Sequence, residues 1–137
     1  MSTCCPDLVD AALLRGRSIL ILDDELLVAI ETKACAWQAG ATVVGPYARV
    51  HAALEAIQLH RIDGAILDVN VAGVHSFPVA DSLASRGVPF VFCTGYGRDI
   101  IPPRFRHVAV VEKPVIPEML IAALASAMKA RNSQAER

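Results

Sequence analysis

Five side chains in this sequence could handle a charged phosphoryl group together. They are the acidic pair Asp23-Asp24, then Asp68, Thr94 and Lys113. Carboxylates crowded together raise one another's pKa, and a divalent cation relieves that crowding. Oxygen ligands without imidazole or thiolate favour magnesium, which keeps several waters and takes one or two carboxylates plus phosphate oxygen. A lysine supplies a point charge and a threonine hydroxyl a hydrogen bond for phosphoryl oxygens. Each residue also has a plainer reading. Asp23 or Asp24 could cap a helix, Asp68 and Thr94 could be turn residues, and Lys113 could be a solvated side chain before Pro114.

The elements that would position these residues give them a common address. Ser18–Leu22 (SILIL) is a nearly unbroken apolar run, which suits a strand buried on both faces, and it ends at Asp23. Glu25–Ala39 places Leu26, Ile30, Ala34 and Trp37 at helical spacing, with Gly40 as a stop. Ala41–Val44 reads as a second strand and Val50–His60 as a second helix. Gly64–Leu67 is a third strand delivering Asp68. A helix follows over Pro78–Ser85. Val88–Cys93 is a fourth strand delivering Thr94. Pro102 and Pro103 limit the next segment, Gly95–Arg106, to one or two turns. Val108–Val111 is a fifth strand, delivering Lys113 just past its end. Ile116–Ala130 closes the chain as an amphipathic helix through Met119, Leu120, Ala123, Leu124 and Ala127.

Strands alternating with helices predict an α/β fold: an open, doubly wound, five-stranded parallel sheet with helices on both faces. In such sheets ligands bind beyond the carboxyl ends of the strands, which is where all five side chains fall. Residues 1–16 read as an N-terminal extension with one helical turn at Ala11–Leu14, residues 17–130 as the domain, and 131–137 as a polar, frayed tail.

The chain has 137 residues, enough for one domain at roughly 150 residues each, and 54% are apolar. Net charge is −1 and aromatics are 5%, so a polybasic nucleic-acid or membrane surface and a base-stacking platform are both excluded. Cys4, Cys5, Cys35 and Cys93 form no C-x-x-C pair, so they suggest neither zinc nor dithiol chemistry. Reduced thiols, no apolar run near ~20 residues and no basic leader make a cytoplasmic protein the expectation.

ILILDDE, AILDVNVAG, FVFCTGYG and VVEKPV, over about residues 17–130, resemble the receiver domains of bacterial two-component signalling, the CheY-like response regulators. The resemblance implies the sheet order 2-1-3-4-5. It implies that Asp68 accepts a phosphoryl group from a histidine kinase or phosphotransfer protein. Asp24 and Asp68 would bind Mg2+ directly, Asp23 through water, and the Asn70 carbonyl would complete the protein ligands. Thr94 and Lys113 would contact phosphoryl oxygens, and the Lys113–Pro114 bond would be cis.

FVFCTGYG and the SFPVADSLASRGVPF stretch before it resemble the FATGUY subgroup, whose members are often single-domain and mainly alphaproteobacterial. Val110 stands where most receivers carry an aromatic switch residue, which leaves Tyr96 or the Gly95–Arg106 loop to carry the signal. With seven residues after Ala130, output would run through protein contacts with an unidentified target. A receiver-shaped module that binds partners without phosphorylation is the alternative. A haloacid-dehalogenase-like phosphatase would need an Asp at position 70, where Asn70 stands. A flavodoxin-like carrier would need a phosphate loop where Asp-Asp-Glu stands.

Overall fold

The computed structural model describes residues 12–135, the last four by their backbone alone. Seven strands and four helices follow in this order: β1 Ser18–Leu22, α1 Leu26–Gln38, β2 Thr42–Tyr47, α2 Val50–Leu59, β3 Gly64–Asp68, a hairpin of β4 Asn70–Val71 and β5 Val74–His75, α3 Phe77–Ser85, β6 Phe90–Thr94, β7 Val110–Glu112 and α4 Pro117–Ala135. Five of the strands form one parallel sheet in the order β2-β1-β3-β6-β7. Leaving out the β4–β5 hairpin, that is the 2-1-3-4-5 order expected.

Successive strand residues face opposite sides, and in this sheet both sides are covered. Leu20, Leu22, Ala65, Leu67, Phe90 and Phe92 pack on one face with α2 and α3. Ile19, Ile21, Ile66, Val91 and Cys93 pack on the other with α1 and α4. Both sets must be apolar, so the strands read as continuous runs.

Several boundaries differ from the sequence reading. β2 continues from Val44 through Gly45 and Pro46 to Tyr47, because an edge strand tolerates a residue with no N–H. Gly45 has φ +106°, and a Cβ there would lie 2.9 Å from the Ile21 carbonyl oxygen, so no other residue fits. β7 starts two residues later than expected. Val108 donates its N–H to Phe105 O at 3.0 Å and lends its own carbonyl to the Arg98 guanidinium at 3.3 Å. The final helix runs on to Ala135 rather than ending at Ala130. The turn near the N-terminus is a 3-10 turn at Ala12–Leu14. Leu14 is fully buried and packs with α1 and α4 residues, so this part of the expected extension belongs to the core. Residues 1–11, with Cys4 and Cys5, lie outside the described residues.

The largest departure is the face of α1. Leu26, Ile30, Ala34 and Trp37 have helical spacing, yet Leu26 is 73% and Trp37 72% exposed. The buried face is Ala29, Thr32, Cys35 and Ala36. Small side chains let the helix axis approach the sheet, and the larger apolar ones are left outside.

The crossover from β6 to β7 has no α-helix. Two 3-10 turns, Arg98–Ile100 and Pro103–Phe105, take its place, within the one or two turns the prolines allow. Phe105 pins this segment: it is buried against Phe77, Phe90 and Phe92, with ring centroids 5.5–6.1 Å apart. Both Lys113–Pro114 and Gly45–Pro46 are cis.

Candidate phosphoryl and metal site

The strand ends converge as the sequence order requires. A cleft of about 460 Å3 opens beyond them, lined by Asp24, Glu25, Asp68, Asn70, Thr94, Tyr96 and Lys113 among others. Asp68 ends β3 and Thr94 ends β6, and pairing in register sets Asp68 beside Cys93 and Thr94 beside Glu112. Lys113 donates its backbone N–H to Thr94 O at 2.9 Å, which holds the lysine at the same rim. Its ammonium donates to Asp68 Oδ2 at 2.9 Å.

The acidic pair divides. Asp23 is buried, and its Oδ1 accepts the Glu25 N–H at 2.8 Å. Its side chain therefore closes the turn into α1 and also belongs to the acidic cluster with Asp68 and Glu25. Asp24 is exposed and accepts the Ala72 N–H on Oδ2 at 2.9 Å, tying the acidic loop to the β4–β5 hairpin. Thr94 is buried, and its hydroxyl oxygen accepts the Tyr96 N–H at 3.0 Å. The turn role considered for Thr94 is thus real, whereas neither Asp23 nor Asp24 caps α1, whose N-cap is Glu25 with no side-chain cap bond; Asp23 closes the turn before it instead.

Glu25 is the residue the sequence reading passed over. Its Oε1 accepts from the Lys113 ammonium at 2.5 Å. Spacing gave no signal for this, because the residue after an acidic pair can turn either way. Its place in the DDE run is the only hint.

Burial pushes the Asp23 carboxyl up to about 7, and the neighbouring Asp68 charge adds to that, while the Glu25 N–H works against it. Asp68 is raised too, by burial first, with Lys113 pulling the other way. For Lys113, burial disfavours the charge, but bonds to Glu25 and Asp68 outweigh it and the ammonium is held above its ordinary value. Two buried carboxylates that resist ionising together are the electrostatic condition a divalent cation corrects. The donor set is all oxygen, and the Asn70 side-chain oxygen is buried without a hydrogen-bond partner. The residues fit a hard cation such as Mg2+.

Comparisons with known proteins show which family has this fold. SdrG from Sphingomonas melonis Fr1 is 38% identical over 85% of this chain and 98% of that one, with a TM-score of 0.72. The chain belongs to the response-regulator receiver family. A "BeF3-activated conformation" of SdrG from Pseudomonas melonis Fr1 is 41% identical over 72% of this receiver and 85% of that chain, with a TM-score of 0.61. A response regulator receiver protein from Sinorhizobium medicae WSM419 covers 86% of this receiver and 98% of that chain at 23% identity and a TM-score of 0.72; at that identity the likeness shows the fold alone. No protein-family model matches the receiver, and no curated protein does. No helix among the described residues is long and apolar enough to cross a membrane.

Proposed function

We propose that this receiver, residues 17–130, accepts a phosphoryl group on Asp68 from a histidine kinase or phosphotransfer protein, with Mg2+, and signals through protein contacts. The observation that carries the reading is the Lys113 ammonium 2.9 Å from Asp68 Oδ2 at the rim of an open acidic cleft. The beryllofluoride form of a relative 41% identical supports it, since that adduct stands in for a phosphoryl group.

In the transfer, an Asp68 carboxylate oxygen attacks phosphorus. The O–P bond forms as the donor's N–P bond breaks, and the imidazole leaves with the electron pair and takes a proton. Ionised Asp68 needs no general base. Lys113 meets charge on the transferring oxygens and Thr94 offers its hydroxyl to one of them, so catalysis is positioning plus charge neutralisation. Asp23, Asp24, Asp68 and the Asn70 carbonyl would hold the cation, which supplies the remaining positive charge. Asp24 has one carboxylate oxygen engaged by Ala72, which leaves the other for a ligand. The product is an acyl phosphate held on Asp68, so the protein is a phosphoacceptor rather than an enzyme that releases its product.

The donor's face follows from exposure. The apolar stripe of α1 starts at Leu26, next to Glu25 on the cleft rim, and Ile116 and Met119 stand exposed beyond Lys113. A helical donor lying on that stripe could present its histidine to Asp68. The test is labelling by a small phosphodonor with Mg2+. The native protein takes up one hydroxylamine-labile phosphoryl group per chain and Asp68→Asn takes up none. Equal labelling of a folded Asp68→Asn protein overturns the assignment and favours the phosphorylation-independent module.

A further inference from the structure

Lys113 serves two carboxylates at once, and they differ in how freely they can leave. The Asp68 side chain is 3% exposed and is fixed by the end of β3. The Glu25 side chain is 54% exposed. Its backbone is anchored by the hydrogen bond from its N–H to Asp23, so only the flexible side chain need move for the carboxylate to swing into water. Among the described residues lining the cleft, Lys113 is the one cationic side chain. A dianionic group carried on Asp68 would therefore meet an ammonium that Glu25 already engages. Two anionic groups sharing one cation repel each other, more strongly where water is partly excluded.

We propose that Glu25 is a displaceable counter-ion of Lys113. It aims the ammonium into the cleft while Asp68 is unmodified, and it yields that place when a phosphoryl group arrives. This rests on Asp68 being the phosphoacceptor and adds a positioning residue that opposes formation of the modified state. The competing role for Glu25 is direct metal ligation, since its carboxylate lies with those of Asp23 and Asp68 within 4.8 Å. The two roles predict opposite signs. Losing a counter-ion frees Lys113 and tightens binding of a phosphoryl mimic. Losing a metal ligand weakens it.

The experiment titrates beryllofluoride at saturating Mg2+ into the full chain, followed by amide NMR, for the native protein, Glu25→Gln, Glu25→Asp and Asp68→Asn. Glu25→Gln keeps the side-chain shape and removes the charge, and its midpoint is expected about two- to fivefold lower than native, the worth of a part-exposed ion pair. Glu25→Asp, one methylene short of Lys113, should move the same way, which separates the direct contact from the mere presence of a negative charge. An unchanged or higher midpoint in Glu25→Gln overturns the counter-ion role. A native protein that fails to bind beryllofluoride, or a folded Asp68→Asn that binds it equally well, instead overturns the phosphoacceptor reading on which this one stands.

Discussion

Arg104 and Asp81 form a two-pronged ion pair, Nε to Oδ1 at 2.9 Å and Nη2 to Oδ2 at 3.0 Å. It ties the segment after β6 to α3 across the outer surface. The same guanidinium lies 4.7 Å from the centre of the Phe105 ring. Surface and core therefore hold this helix-less crossover together. Both partners are about half exposed, so Arg104→Ala should cost only about 1 kcal/mol. Amide exchange should accelerate over residues 95–109 and stay unchanged in β1 and β3, as hydrogen exchange would show.

Phe105→Ala removes the buried anchor itself. Deleting an aromatic side chain from a core costs about 3–5 kcal/mol, visible as a large fall in the urea midpoint. With Arg104→Ala added, the combined loss should be less than the sum, because the guanidinium then has no ring to cover. A strictly additive result would show that the two residues act separately.

Asp23 gives the metal-free protein a pH-dependent stability of definite sign. Its folded pKa is raised to about 7 by burial, from an ordinary value of 3.8. Between those limits the folded state binds the proton more tightly than the unfolded state does, so this contribution is complete at low pH and is lost as pH rises towards 7. Metal-free Asp23→Asn should show a shallower slope, the share of the buried Asp68 carboxyl remaining. Thermal unfolding at pH 5, 6 and 7.5 in chelator, native against variant, checks it. Added Mg2+ should stabilise the native protein more at pH 7.5 than at pH 5.

Leu26→Glu on the exposed stripe should leave stability within about 0.5 kcal/mol, since that side chain meets water already. It should slow phosphoryl transfer from a protein donor and leave labelling by a small phosphodonor unchanged. Equal slowing with both donors would place the effect in the cleft and not on the docking face.

The sheet was legible because burial on both faces leaves runs such as SILIL and VPFVFC without polar interruption, and each run ends on a residue with chemistry. Asp68, Thr94 and Lys113 reach one rim for that reason. α1 was misleading because periodicity reports size and apolarity, while packing against the sheet selected Ala29, Cys35 and Ala36 for closeness. Side-chain direction was out of reach. Nothing in Asp-Asp-Glu says that the first carboxylate turns inward, the second takes a hairpin N–H, and the third crosses to a lysine 88 positions away. The extension of β2 through Pro46 was hidden as well, because a proline reads as a stop until the strand is known to lie at the sheet's border.

Trp37 is the sole tryptophan of the chain, and its indole is largely in water at the far end of the α1 stripe. Its fluorescence should scarcely change colour when the fold melts, since folded and unfolded emission both come from a hydrated ring. A blue shift at constant temperature would instead be a direct optical signal that another molecule has settled on that helix.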